Sequence, residues 1–462
     1  MIIAITIFLI LFLVLTLRRA DWALLLLIAT LPSYLIRFSI AGLPMTLLEA
    51  MILILFAVWC SREALPNLYG WIKKRGERQN YPFSWEMILL LLISFGAVAV
   101  AGFSSAAFGI WKAYFFEPLL VFILIFNVFK TRRDLMKILW ALLVSAAAVA
   151  LFAVFQEITG LYISNPFWAD AATRRVVSFF GYPNAVGLYL APLILIGGGW
   201  LCSLREAETW KKIVISLTLA FSLLAIYFAR SDGALIGVIA GAVIFGLLAG
   251  KKPRLATIII IVVAAGGLFF SGARAEKVID KFRLRDLSGE IRQQQWKETL
   301  VMLNDGRFFL GAGLANYQNT IHPYHQEGIF FNRDKIANFD AVVWASAELR
   351  AKYWQPTEIY LYPHNIFLNF WSELGLAGSL LFMWIIARYL WTSLRLSVAL
   401  SRARNPEQYL VLGLLAAMIA VFVQGLVDVP YFKNDLSVMF WILLALIGAL
   451  DLSYRRDREL KN

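Results

Sequence analysis

The chain has 462 residues, of which 60% are hydrophobic, 15% aromatic and only 16% charged, with a mean hydropathy of +0.71. A soluble domain carries roughly 25% charged residues, so this composition excludes an ordinary soluble enzyme and predicts an all-α polytopic membrane protein. The net charge of +13 does not point to nucleic acid, because the basic residues stand between apolar runs rather than in one patch.

Apolar runs fall at 2–17, 22–38, 45–61, 86–103, 109–129, 136–157, 184–203, 212–229, 233–249, 255–271, 364–386, 408–427 and 435–452. The first has no basic residue before it and no small-residue cleavage site after it, only Arg18 and Arg19. It reads as an uncleaved span rather than a signal peptide. Several runs are 16–18 residues long, near the lower limit of about 17 for crossing hydrocarbon. The expectation is therefore 12–13 transmembrane helices, the lower number if the first two runs form one irregular entry. Cys60 and Cys202 lie within or at the ends of apolar runs, which implies neither a disulfide framework nor a cysteine metal site.

Seven segments alternate strictly with segments of low basic content: Arg18/Arg19, Arg62–Arg78, Lys130–Lys137, Arg205–Lys212, Lys251–Arg254, Arg388–Arg404 and Arg455–Lys461. They hold 25 of the 43 Lys and Arg residues. The positive-inside bias puts all seven in the cytoplasm, together with the C-terminus. Two opposite-side segments are exceptional: Glu157–Pro183, with Arg174 and Arg175, and the 91-residue stretch from Gly272 to Tyr362. A connection that long implies a folded extracytoplasmic unit. The expected organisation is 1–271, N-terminal helices with outer-face arginines; 272–362, a large helical extracytoplasmic loop; and 363–462, C-terminal helices and a cytoplasmic tail. Within the loop, Trp296, Leu300 and Leu303 at i, i+4, i+7 predict a helix over 291–304, stopped by Asp305-Gly306. Gly311 and Gly313 predict a tight turn before Tyr317.

Where this loop meets the next apolar run stands Tyr362-Pro363-His364-Asn365. His364 has two readings. It or Asn365 could cap a helix whose first turn Pro363 favours. Alternatively it is a general base at the water–lipid boundary, since imidazole titrates near pH 6.5. A metal site with His322 and His325 is disfavoured, because no carboxylate cluster or ligand spacing accompanies them. Arg174, Arg175 and Arg230 stand at outer span ends, either snorkelling or clamping a phosphate or diphosphate. Arginine on the outer face runs against the topological bias, which favours the clamp. Helix starts at Asn184 and Ser231–Gly233 would add backbone N–H groups toward the same anion. Glu49 and Glu117 inside spans are either functional or paired with Lys112 or Arg37. Asp428 and Lys433-Asn434-Asp435 form a capping turn or a site wall, of which the turn is favoured, and the aromatic crowd over 344–362 is most simply an interfacial belt, with stacking on sugar rings as the alternative. Outer-face arginines with intramembrane carboxylates would also suit a transporter of lipid-linked glycan or anionic lipid. No two-fold repeat of broken spans supports that reading.

His364-Asn365, nine residues, Gly375, two residues, Gly378 resembles the His-Asn/Ser/Gln-x9-Gly-x-x-Gly pattern of the O-antigen ligase family, which also includes O-antigen polymerases and bacterial protein O-oligosaccharyltransferases. Arg175 through Pro183-Asn184 is similar to the family's Arg…Gly-x-x-Pro-Asn element. Arg292…Trp296…Gly311-Ala312-Gly313-Leu314…Tyr317 resembles the helix and Gly-x-Gly turn of its large loop. Ser231–Gly233 resembles a Ser-Arg-Gly motif, except that Asp232 occupies the arginine position and Arg230 sits two residues earlier. The resemblance implies a membrane glycosyltransferase of the C type, inverting, metal-independent and without cofactor, in the bacterial cytoplasmic (inner) membrane. It implies an undecaprenyl-diphosphate-linked glycan as donor and lipid A core, a lipid-linked repeat or a protein as acceptor. His364 would be the catalytic base and Arg175 and Arg230 the diphosphate ligands, with Arg174 as their substitute, and with Asn365, Gly375, Gly378, Asn184, Arg292 and Trp296 in support.

Overall fold

A computed structural model describes residues 2–40, 42–66, 81–270 and 273–459. Part of the basic segment Arg62–Arg78, the expected boundary at 271/272 and Lys461 lie outside the described residues. The chain is a multi-pass, almost wholly helical membrane protein. Its principal helices are α1 (Ile2–Arg18), α2 (Ala20–Ala29), α3 (Leu47–Trp59), α4 (Ser84–Val100), α5 (Ser105–Val128), α6 (Arg132–Thr159), α7 (Pro183–Ser203), α8 (Thr209–Phe228), α9 (Asp232–Leu248), α10 (Lys251–Phe269), α11 (Ala273–Phe282), α12 (Leu287–Met302), α13 (Ile366–Arg402), α14 (Gln408–Gly425) and α15 (Asn434–Glu459). Among the described residues, seven of these are long and apolar enough to cross a membrane: α5, α6, α7, α8, α13, α14 and α15. Helices α1, α2, α4 and α9 are apolar but no longer than 17 residues.

The expected span over 22–38 is not there. Only Ala20–Ala29 is α-helical; a 3-10 turn over Leu31–Leu35 follows, then a hairpin of β1 (Arg37–Ile40) and β2 (Leu43–Thr46). Pro32 near the start of that turn has no N–H to continue an α-helix, and ten residues reach only about 15 Å, half the hydrocarbon. In contrast, the basic segment Arg388–Arg404 is the continuation of α13 to Arg402. Arg388 there pairs with Glu86 of α4, and Arg395 meets Asp451 of α15 at 2.8 Å.

The bundle is tightest where α14 lies against α7 and α9. A Cβ added at Gly199 of α7 would come 2.5 Å from the Tyr409 carbonyl oxygen, and one at Gly241 of α9 would come 2.7 Å from that of Ala416. Small residues let these backbones approach, which is how helices associate when lipid supplies no hydrophobic drive. Buried Trp441, Tyr389 and Tyr431 fill the wider gaps, the Tyr389 hydroxyl donating to the Leu414 carbonyl at 3.0 Å. Glu49 and Glu117 both pair with Lys112, at 3.3 and 4.0 Å.

The polar stretch after α11 carries α12, which begins four residues earlier than its apolar period predicts, because Asp286-Leu287-Ser288 already adopts the helix start. The helix ends through a π turn at Leu303–Arg307, where Gly306 takes φ +75°. An antiparallel pair of short strands, β3 (Gly328–Phe330) with β4 (Trp354–Pro356), follows, with two short helices between them.

Candidate functional site

Four helix ends meet at one end of the bundle. The α7 start touches the α9 start, since a Cβ at Gly187 would lie 2.5 Å from Ser231 Oγ. The chain after α14 reaches both the α7 and α13 starts. Asn184 donates from Nδ2 to Asp428 Oδ2 at 3.5 Å, and Asn365 donates from Nδ2 to the Leu426 carbonyl at 3.1 Å. Three helix N-termini, those of α7, α9 and α13, each with a positive dipole end, therefore lie in one region.

Asn365 caps α13, its Oδ1 accepting from the N–H groups of Phe367 and Leu368 at 3.0 and 3.1 Å. His364 is thereby released from the capping role that the sequence left open. It takes φ +46°, and its ring stands 5.0 Å from that of Tyr360 and 5.1 Å from that of Tyr362. Nδ1 lies 3.0 Å from Gln295 Oε1 on α12. The next residue, Trp296, donates from its indole to the Pro363 carbonyl at 2.8 Å, so α12 is latched to the residue preceding the imidazole. Burial lowers the His364 pKa below its ordinary value; Asp428 acts to raise it and Arg292 to lower it. Arg292 donates to Ser288 Oγ at 2.8 Å, while its Nε is buried with no hydrogen-bond partner among the described residues.

Gly375 and Gly378 have a steric explanation. Gly375 breaks α13 at φ +76°, ψ 179°, and a Cβ there would lie 2.1 Å from the Phe309 carbonyl oxygen. The Leu376 N–H instead donates to that oxygen at 3.1 Å. The Gly311–Gly313 turn docks on the same break: the Ala312 N–H donates to the Ser372 carbonyl at 2.6 Å, and that of Ala315 to Glu373 Oε2 at 2.7 Å. Gly378 sits in the crowded turn just beyond, 2.3 Å from Leu374 Cβ if a Cβ were added. Gly375 and Gly311 thus let the loop sit directly against the span below His364.

The two adjacent arginines differ. Arg174 spends all three guanidinium nitrogens on backbone carbonyls, Nη1 on Glu157 at 2.7 Å and Nε and Nη2 on Ala169. Arg175 donates from Nε to the Ala229 carbonyl at 3.0 Å, and from Nη2 to Asn184 Oδ1 at 3.2 Å and the Arg230 carbonyl at 3.3 Å. Its Nη1 has no partner among the described residues. Arg230, at φ +50°, contributes its carbonyl to this cluster while its side chain is exposed. Asp232 is turned to Lys281 at 2.7 Å.

Two neighbours join the site, one weighed in the sequence mainly as a turn and one carrying no signal there. Asp428 does form the expected turn, its Oδ1 accepting from the Val429 N–H at 2.8 Å, but its other oxygen faces Asn184. Gln295 sits one residue before Trp296 on a face that only the folded loop reveals. Lys433 also belongs here, its ammonium 3.9 Å from the Tyr182 ring centre. Burial lowers its pKa to about 8, and the Tyr182 and Tyr362 hydroxyls are 3.5 Å apart. His325 lies elsewhere, between Glu298 (3.3 Å) and the Thr357 carbonyl (3.2 Å). Among the described residues, no three His, Cys, Asp or Glu side chains gather to hold a metal ion.

No curated protein matches the chain. The stretch from within α8 to the middle of α13 includes Arg230, Arg292, Trp296, His364, Gly375 and Gly378, and over residues 217–383 it matches the family model described as O-antigen ligase, so this part of the chain is similar to that family.

Proposed function

We propose that the chain transfers a glycan from an undecaprenyl-diphosphate carrier to an acceptor hydroxyl at the outer face of the bacterial cytoplasmic membrane, as an O-antigen ligase or a polymerase of the same chemistry. In this arrangement residues 273–362 form the extracytoplasmic loop, the basic segments face inward, and 1–271 and 363–462 supply the membrane helices. One observation carries the reading. A polar strip runs from Arg175 through Asn184 and Asp428 to the electrostatic neighbourhood of His364, at the end of the bundle where three helix N-termini converge.

The donor diphosphate meets those N-termini and the free Nη1 edge of Arg175, with the exposed Arg230 side chain within reach of the same anion. Arg174, already committed to backbone, stabilises its loop. The acceptor approaches from the loop side, where Arg283, Arg285 and Lys297 line a polar cavity of about 570 Å³. His364 takes the proton of the attacking hydroxyl as its oxygen bonds to the anomeric carbon. The diphosphate leaves from the opposite face, so the anomeric configuration inverts. Negative charge growing on the leaving group is stabilised by fixed guanidinium and N–H donors, and burial, helped by Arg292 and opposed by Asp428, favours the neutral ring that accepts the proton.

The test is reconstitution in liposomes with a lipid-linked glycan and a lipid A core or lipid-linked acceptor. Covalent product is expected, in EDTA as in its absence. His364→Ala is expected to lose at least the roughly 10²–10⁴-fold that a positioned base contributes while still inserting. Full transfer by that variant, or lipid movement without product, overturns the reading.

A further inference from the structure

A neutral imidazole has one protonated nitrogen and one basic one, and the hydrogen bond made by the first decides which is which. His364 Nδ1 lies 3.0 Å from Gln295 Oε1, an amide oxygen that only accepts. Gln295 is 6% exposed, so its amide has little water to turn toward. Its backbone is held as well, its carbonyl accepting from the Thr299 hydroxyl at 2.7 Å. The Trp296–Pro363 latch sets the distance between α12 and the histidine. The left-handed backbone at His364 costs a non-glycine residue about 1 kcal/mol; the fold accepts this cost and holds the ring against Gln295.

We propose that Gln295 is a positioning residue that fixes His364 as the tautomer protonated on Nδ1, leaving the Nε2 lone pair to take the acceptor's proton. This rests on the reading of His364 as the base. In the step, the acceptor O–H proton moves to Nε2 and the acceptor oxygen bonds to the anomeric carbon. The bond from that carbon to the diphosphate oxygen breaks, and its electron pair leaves with the diphosphate. The ring ends as an imidazolium, whose Nδ1–H bond to Gln295 becomes charge-assisted and stronger. The groups facing the ring are the Asp428 carboxylate after α14, the Arg292 guanidinium on α12, and the Tyr360 and Tyr362 rings. An amide beside them directs the proton without adding a second charge.

The chain has three histidines, so ¹⁵N-histidine labelling of the full-length protein in lipid nanodiscs gives three ring pairs, with that of His364 identified by its loss in His364→Gln. At alkaline pH, Nδ1 is expected at the shift of a protonated ring nitrogen and Nε2 at that of an unprotonated one. Gln295→Leu is expected to move both toward the averaged shifts of a freely exchanging ring. It should also lower kcat on the order of 10–100-fold, as loss of a histidine-orienting partner does, with little change in KM. A protonated Nε2 in the unaltered protein, or shifts that Gln295→Leu leaves in place, overturns the proposal. If Gln295→Leu does not fold, Gln295→Glu decides. It keeps the acceptor and the tautomer, and its charge favours the imidazolium, so the acidic limb of the rate profile moves to higher pH; an unmoved limb counts against the proposal. Expected shifts beside an active His364→Ala remove the base reading and leave the hold on the ring standing. Reversed shifts beside an inactive His364→Ala do the opposite.

Discussion

The α7–α9–α14 bundle and the seam between α12 and α13 hold their parts together by different means. In the bundle, glycines at 199, 237 and 241 bring backbones against the Tyr409, Ala420 and Ala416 carbonyls, and the contact is steric. At the seam, side chains reach backbone: Trp296 to Pro363, and Trp371 to the Phe308 carbonyl at 2.6 Å. Steric fit sets where helix ends lie and is indifferent to protonation. Directional polar contacts aim individual groups, and they can be rearranged by a single substitution. The bundle therefore fixes where Asn184, Ser231 and Asp428 sit, while the seam sets where His364 points.

If that division is right, the largest effect comes from the residue that joins the two. Arg175 is positioned by bundle carbonyls yet keeps one edge free, so Arg175→Gln is expected to lower kcat about 10²–10³-fold, the loss typical of removing one preorganised donor from a developing charge. Arg174→Gln instead leaves two backbone carbonyls short of donors, a cost of about 1–3 kcal/mol in stability, with transfer per folded molecule nearly unchanged. Transfer and thermal unfolding in nanodiscs, measured on both variants, check this. Equal loss of transfer would mean that the pair acts jointly.

The bundle has its own test in two neighbouring glycines of α7. A Cβ at Gly199 would strike the Tyr409 carbonyl oxygen and the Gly413 backbone at 2.5 and 2.6 Å, whereas one at Gly198 meets nothing within 4 Å. Gly199→Ala is expected to destabilise by roughly 1–3 kcal/mol through overpacking. Gly198→Ala should be neutral or stabilising by up to about 1 kcal/mol, since glycine is a poor helix residue. Thermal unfolding separates them, and equal behaviour would dissolve the idea that close backbone approach holds this region.

What could be read beforehand follows the same line. Most apolar runs, the helix starts beside Asn184 and at Asp232, and the stop at Asp305-Gly306 are local signals, set by hydropathy and capping, and they survive into the fold. The run at 22–38 misled because hydropathy cannot see that Pro32 prevents the helix from continuing and that Leu43–Thr46 returns against Arg37–Ile40 as a hairpin. Contacts between distant segments were not legible: Gln295 carries no motif, and Asp428 reads as a turn residue because it is one, through Oδ1. Its second oxygen is assigned only when α7 and α14 are side by side. Of the arginines, residue type could not separate Arg174 from Arg175; the carbonyls of Glu157 and Ala169 do.

The finest prediction concerns charge across the seam. His364 acts as a base only when neutral, and burial holds its pKa below the ordinary value, so kcat/KM should be level at neutral pH and fall as pH drops through that lowered value. Asp428 favours the imidazolium. Asp428→Asn removes that attraction while leaving Oδ1 for the Val429 N–H, so the acidic limb moves to lower pH. Arg292 disfavours the imidazolium, and Arg292→Gln moves the limb the other way. Stability has the same sign for the unaltered ring. A histidine whose folded pKa is depressed stabilises the fold above its unfolded pKa, and that contribution is lost as pH falls through the folded one. Rates must therefore be taken per folded molecule, with folding followed in parallel. Limbs that shift in opposite directions in the two variants locate the titrating group between Asp428 and Arg292. A limb that neither variant moves would place the titrating base somewhere other than His364.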